Sequence, residues 1–378
     1  MRWTRRFALL AAAVATGGTV VGFAAPANAS YTHDPITLAW NPAGPVHASL
    51  SSNGVVYLGG KLDGTGGIAA IDAATGNLLW QVPANNDVRA LALSADGSTL
   101  YAGGNFTTVN GVTHRHVAAL STADHGLVTA FRGRAGGAVR DLVVRGNDLY
   151  VAGKITTLGG VPSRGIGAMD AATGTRDAGF TFQADGDVLG LALTGSRLIL
   201  SGSFTQISGS QRTNLAMIDL STNTLTGWAP AKLCSNCNQY FDVQTDGVNA
   251  YVAASGNAAG AFSLATGLQP WRIIRGTGDF QAVWLPGDGK VYFGGHFGLG
   301  VWSGPIPQNI VDAKMLVSVS TANGVIDPSW TPRLYKAYPG VWTFTSSDGK
   351  LWIGGDFTGE QVNGSNNKKP YLAAYQGI

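Results

Sequence analysis

The sequence predicts an all-β protein built from one unit written many times. Three observations carry that expectation. The segment Leu100–Gly111, LYAGGNFTTVNG, puts two glycines after an apolar strand-like run, then an aromatic, then a turn. Close variants recur as LYVAGKITTLGG, LILSGSFTQISG, VYFGGHFGLG and LWIGGDFTGEQVNG. Only 12% of the residues are charged, while 54 of 378 are glycine; an average domain has about 25% charged residues and about 7% glycine. The runs between the glycines are rich in valine, threonine, tyrosine and tryptophan, which is the composition of strands joined by tight turns.

The glycine-ended strand occurs seven times. It finishes at Gly60, Gly104, Gly153, Gly202, Gly295 and Gly355, and as AYVAASG near Gly256. Six steps separate Gly60 from Gly355, a mean period of about 49 residues. Each unit opens with a strand such as VRALALS (Val88 to Ser94), VRDLVVR (Val139 to Arg145) or VLGLALT (Val188 to Thr194). A hairpin turn follows, at Asp96-Gly97, Gly146-Asn147 or Asp348-Gly349, where these residue types accept the positive φ of tight turns. The glycine-ended strand is second. A third reads IAAIDAATG, IGAMDAATG or LAMIDLSTN, and a short fourth ends in Trp80, Phe131, Phe180, Trp228, Trp271 or Trp330.

Four-stranded antiparallel units of this period predict a seven-bladed β-propeller. The strand-end glycines are expected to let neighbouring blades approach closely. Phe106, Ile155, Phe204, Phe297 and Phe357 are expected to fill the gaps between blades. The segment ITLAWNP (Ile36 to Pro42) resembles a blade end, and the terminal YLAAYQGI a third strand without its fourth. The N-terminal segment is therefore expected to complete the last blade and remove its open edge.

Residues 1–29 read as an export signal. Arg2, Arg5 and Arg6 precede an apolar run from Phe7 to Phe23, and Ala27-Asn28-Ala29 places cleavage between Ala29 and Ser30. The Arg5-Arg6-Phe7 sequence is similar to a twin-arginine signal with one residue fewer before the phenylalanine. A single domain over residues 30–378, secreted or extracellular and monomeric, is expected. No other apolar run approaches the roughly 20 residues of a membrane span. Beyond the signal, basic and acidic residues balance at 22 each, which leaves no electrostatic footprint for nucleic acid. Cys234 and Cys237, in CSNC, are the only cysteines. A disulfide is the expectation in an exported chain. A redox motif would follow a βαβ pattern, and a zinc site would bring two further ligands at suitable spacing.

AIDAATGNLLW (Ala70 to Trp80) fits the A-x-D-x-x-T-G-x-x-x-W repeat of quinoprotein-like propellers, and AFSLATGLQPW (Ala261 to Trp271) nearly does, with Ser263 for the aspartate. The full unit, with G-G-x-F-T, N-G, A-A-x-D and W-x-P, resembles more closely the secreted bacterial delta-60-repeat β-propellers, above all in GDFQAVWLPGDGKVYFGGHF (Gly278 to Phe297). This resemblance covers residues 36–378 and implies the propeller fold, with function left to whatever site the fold carries. Quinoprotein enzymes are usually eight-bladed and longer, with a disulfide between adjacent cysteines against the cofactor and a calcium site. CSNC does not match, no calcium set stands out, and no cofactor is expected.

Propellers bind ligands at the mouth of the central channel, where the first strands begin. Aligned first strands place one comparable residue from each unit there: His47, Arg89, Arg140, Leu189, Asp242, Gln281 and Trp342. Asp87, Asp187 and Asp279 lie just before that position in three units. This ring varies far more than the packing positions and suits a sugar, an anionic small molecule or a peptide end. A solvated channel whose arginines and aspartates pair with each other is the plainer expectation. His114 and His116 lack a third metal ligand, and G-x-S-x-G and H-E-x-x-H are absent. The resulting expectation is a non-catalytic binding or scaffold module for a cell-surface protein or glycan. A hydrolase or lyase using His47 with an aspartate is the alternative, and a quinone-dependent oxidoreductase is less favoured. The repeat breaks at Ser303 to Met315 and at Arg333 to Val341, where Tyr335, Tyr338 and Trp342 give an aromatic character.

Overall fold

The computed structural model describes residues 31–298, 300–304, 310–335, 340–362, 365–367 and 370–378. The export signal, the Ala29/Ser30 cleavage position and Tyr338 lie outside the described residues, and every count below refers to those that are described. The repeated unit folds as an antiparallel sheet. Strands Val46–Ser52, Val55–Gly60, Gly67–Asp72 and Leu78–Pro83 form the first sheet in that order. Six further sheets begin with strands Val88–Leu93, Val139–Arg145, Val188–Thr194, Tyr240–Thr245, Phe280–Trp284 and Val341–Ser347. Each of these first strands lies beside the first strand of the next sheet, and Val341–Ser347 lies beside Val46–Ser52.

Four equal strands per unit is not what the chain builds. The first and fourth sheets have four strands, and the second, third, sixth and seventh have three. In the second, third and sixth sheets the outer strand shrinks to single bridges, Leu120 to Leu127, Met169 to Arg176 and Val319 to Ile326. An aspartate–threonine turn reverses the chain after the third strand whether a full fourth strand follows, as in the first sheet, or only a bridge, as in the third. Asp72 Oδ1 accepts hydrogen bonds from the backbone N–H and the hydroxyl of Thr75, and Asp170 holds Thr173 in the same way. The fifth sheet gains a fifth strand, Val301–Ser303, which ends where the repeat breaks at Ser303 and pairs with Trp271–Arg275.

The core is divided among the gaps between sheets, because each sheet buries both faces. Phe106 packs with Tyr57, Ile68 and Val82 of the first sheet, Ile155 with residues of the second and third, and Phe204 with residues of the third and fourth. Phe297 and Phe357 fill the fifth-to-sixth and sixth-to-seventh gaps. Trp352, Leu372 and Ala374 of the seventh sheet share a cluster with Val46, Val56 and Leu58 of the first.

The paired glycines do two jobs. A Cβ on Gly103 would lie 2.4 Å from Val139 Cγ1 of the next sheet, and one on Gly354 would lie 2.5 Å from Val46 Cγ1. The first glycine therefore admits the neighbouring sheet, as expected from the sequence. The second faces its own sheet: a Cβ on Gly104 would stand 2.2 Å from the carbonyl oxygen of Asp87, and one on Gly355 2.2 Å from that of Gly340. That carbonyl accepts the N–H of the residue after the glycines, as in Asn105 to Asp87 and Asp356 to Gly340.

The fourth-strand aromatics fasten neighbouring units. Trp228 Nε1 donates to the Ser263 carbonyl and Trp271 Nε1 to that of Thr321, each in the next unit. The N-terminal segment runs beside Leu372–Gln376, with the N–H groups of Thr32 and Ile36 donating to the carbonyls of Gln376 and Ala374. These contacts involve residues 31–36, just before the expected 36–42. The cysteine pair is a disulfide, with Cα atoms 5.1 Å apart. Among the described residues no helix is long and apolar enough to cross a membrane.

Candidate functional site at the channel mouth

A β-bulge near the start of every first strand builds the site. The ladder to the second strand skips one residue in all seven sheets: His47, Arg89, Arg140, Leu189, Phe241, Gln281 and Trp342. A bulge adds a residue on one strand and re-aims its side chain. All seven line one cavity of about 590 Å³. The sequence alignment places Asp242 in this ring, and the structure puts Phe241 there instead. The apolar residue before each bulge sets the register, and in the fifth sheet it is the buried Tyr240.

Asp242 lies one residue further along and also lines the cavity, in register with Asp141 of the third sheet. Asp141 has no place in the sequence-derived ring. Its signal, an aspartate directly after the bulge position, is visible only once the register is known. Each carboxylate straps two first strands. Asp141 accepts from its own neighbour Leu142 N–H and from Leu191 N–H of the next sheet, both at 2.7 Å. Asp242 accepts from Val243 N–H at 2.7 Å and from Val283 N–H at 2.8 Å. Thr343 does the same across the seventh and first sheets, accepting from Ser49 N–H at 2.9 Å. Burial pushes both carboxyls up to about 7, with the Asp242 charge adding to the effect on Asp141, against the pull of these N–H donors.

The mouth itself is an ion-pair network. His47 Nδ1 lies 2.7 Å from Asp87 Oδ1, and its Nε2 lies 3.3 Å from Asp356 Oδ2. Arg89 Nε sits 2.6 Å from Asp87 Oδ2. The guanidinium also lies 5.8 Å from the centre of the Trp342 ring, whose indole N–H donates to Asp356. Burial alone would lower the His47 pKa, but the hydrogen bonds to Asp356 and Asp87 outweigh it and the pKa rises. Burial would raise that of Asp87, and His47 and Arg89 together hold it below the ordinary carboxylate range. Both ring nitrogens of His47 are thus engaged between sheets, and a general base there would have to break this network.

Asp87, Asp187 and Asp279 do not line the cavity; they tie its wall. Asp187 pairs with Lys154 of the preceding sheet at 3.2 Å. Asp279 accepts from Gly256 N–H at 3.1 Å and faces Arg275 at 3.5 Å. His114 and His116 fall after the short strand Val112–Thr113, and His116 Nδ1 bonds the Gly104 carbonyl 3.2 Å away. Among the described residues no group of three or more His, Cys, Asp or Glu side chains is placed to hold a metal ion.

No family model matches the chain, and no curated protein matches it in sequence. Its structure is similar to the crystal structure of the WD40 β-propeller domain of Doa1. The TM-score is 0.60 at 9% identity, over 92% of this chain and 97% of that one. With the sheet arrangement above, this likeness shows the β-propeller fold and nothing narrower.

Proposed function

We propose that the protein is a binding module: a secreted or cell-surface, non-catalytic propeller of delta-60-repeat type that recognises a group on a protein or glycan at its channel mouth. In this reading residues 1–29 are the export signal and residues 30–378 one domain of seven blades. The N-terminal segment beside Leu372–Gln376 closes the last blade. One observation carries the functional reading. The packing positions repeat from sheet to sheet, whereas the seven bulge residues are a histidine, two arginines, a leucine, a phenylalanine, a glutamine and a tryptophan around one cavity. Its volume of about 590 Å³ falls within the 300–1,000 Å³ of small-ligand sites.

A hydrolase or lyase is the second reading, and the near-neutral carboxyls of Asp141 and Asp242 are what favours it. Against it, all four carboxylate oxygens already accept backbone N–H groups. Glycan and peptide arrays probed with wild type and Trp342→Ala test the binding module. Binding that Trp342→Ala abolishes without loss of folding is expected. Binding indifferent to that substitution would move the site away from the channel.

A further inference from the structure

We propose that the channel mouth is a carboxylate site centred on Arg140, taking a small ligand with one negative charge; this rests on the binding-module reading above. The bulge aims Arg140 into the cavity. Its Nε is buried and has no hydrogen-bond partner, and among the described residues no acidic side chain forms an ion pair with it. The two other arginine and lysine side chains lining the cavity are already neutralised, Arg89 by Asp87 and Lys154 by Asp187. Of the three, Arg140 is therefore the one without an ion-pair partner among the described residues. Burial and the nearby Arg89 push the Arg140 pKa down, outweighing the more distant pull of Asp87 and Asp187.

A second observation comes from the sixth sheet. Gln281 lines the same cavity, is only 4% exposed, and its buried Oε1 has no partner. Buried polar groups are nearly always satisfied by protein, water or ligand, so a donor on the ligand completes this side. A planar guanidinium matches a carboxylate with two parallel hydrogen bonds. With Asp141 and Asp242 lining the same cavity, a group with one negative charge fits better than a phosphate dianion. Trp342 and Phe241 supply flat apolar surface for the rest of the ligand.

Titration calorimetry on the whole protein tests this with two matched pairs: glucuronate against glucose, and N-acetyl-Ala-Ala acid against its amide. One acid is expected to bind at least tenfold more tightly than its neutral twin, and which acid does so separates a sugar source from a peptide source. Arg140→Gln should weaken that acid at least tenfold with an unchanged or higher melting temperature, and Arg140→Lys should restore part of the affinity. Gln281→Leu, expected to weaken binding several-fold, serves as the probe if Arg140→Gln does not fold. Acids that bind no better than their twins, or an Arg140→Gln protein that binds as wild type, would overturn the site. A neutral twin bound through Trp342 but not Arg140 would overturn it while leaving the binding module standing.

Discussion

His47 Nδ1 and Asp87 Oδ1 meet at 2.7 Å across the seam between the first two sheets, and Asp87 is fully buried. With Arg89 on its other oxygen, Asp87 joins two sheets through one carboxylate. Removing one partner of a buried pair leaves the rest uncompensated, which costs about 3–5 kcal/mol. Asp87→Ala should lose stability of that order in urea unfolding. Asp187→Ala breaks a more exposed pair and should cost less than about 1 kcal/mol. Equal losses would mean the seam does not depend on the His47 network.

The second glycine of each pair offers a sharper test. Gly104→Ala drives a Cβ to 2.2 Å from the Asp87 carbonyl oxygen, a backbone atom that cannot rotate away. A loss of about 3 kcal/mol or more is expected. Gly97 has a φ of +72° with nothing within 4 Å of its Cβ position, so alanine there meets only the left-handed penalty of about 1–2 kcal/mol. Melting curves of the two variants should rank accordingly.

Acidity should stabilise this protein around neutrality. Asp141 and Asp242 titrate at about 7 in the fold and near 3.9 unfolded. Between those values the folded state holds more protons, so stability falls as the pH rises from about 4 through 7. His47, with its pKa raised, acts in the same direction: its share is lost as the pH rises through its folded value. The melting temperature should be higher at pH 5 than at pH 8. The double variant Asp141→Asn, Asp242→Asn should flatten that slope, whatever it costs in backbone hydrogen bonds. An unchanged slope would show that the channel carboxylates do not titrate there.

The Cys234–Cys237 bridge closes a short loop and should contribute only about 2 kcal/mol through the unfolded chain. Replacing both residues with serine should lower the melting temperature modestly, and a reductant should reproduce that shift in wild type. A larger loss would give the loop a part in packing, where Leu233 N–H donates to the phenolic Oη of Tyr240.

What the sequence by itself determined is the part of the protein that repeats. Glycine pairs, turn dipeptides and the plug at Phe106, Ile155, Phe204, Phe297 and Phe357 recur because each unit must solve the same close approach to its neighbours, and recurrence is readable without coordinates. It also placed His47, Arg89, Arg140, Gln281 and Trp342 at one comparable position. The tertiary structure decided what does not repeat. A bulge shifts register by one residue, so Phe241 rather than Asp242 takes the bulge position beside them, and Asp141 and Asp242, which also line the cavity, become straps between sheets. Outer strands persist in some sheets and shrink to single bridges in others, and the fifth sheet adds Val301–Ser303. Whether Asp87 binds a ligand or His47, and whether Arg140 has a counter-charge, depends on side chains that are distant in sequence. Their meeting is set by how the first strands of successive sheets lie side by side, which no local pattern records.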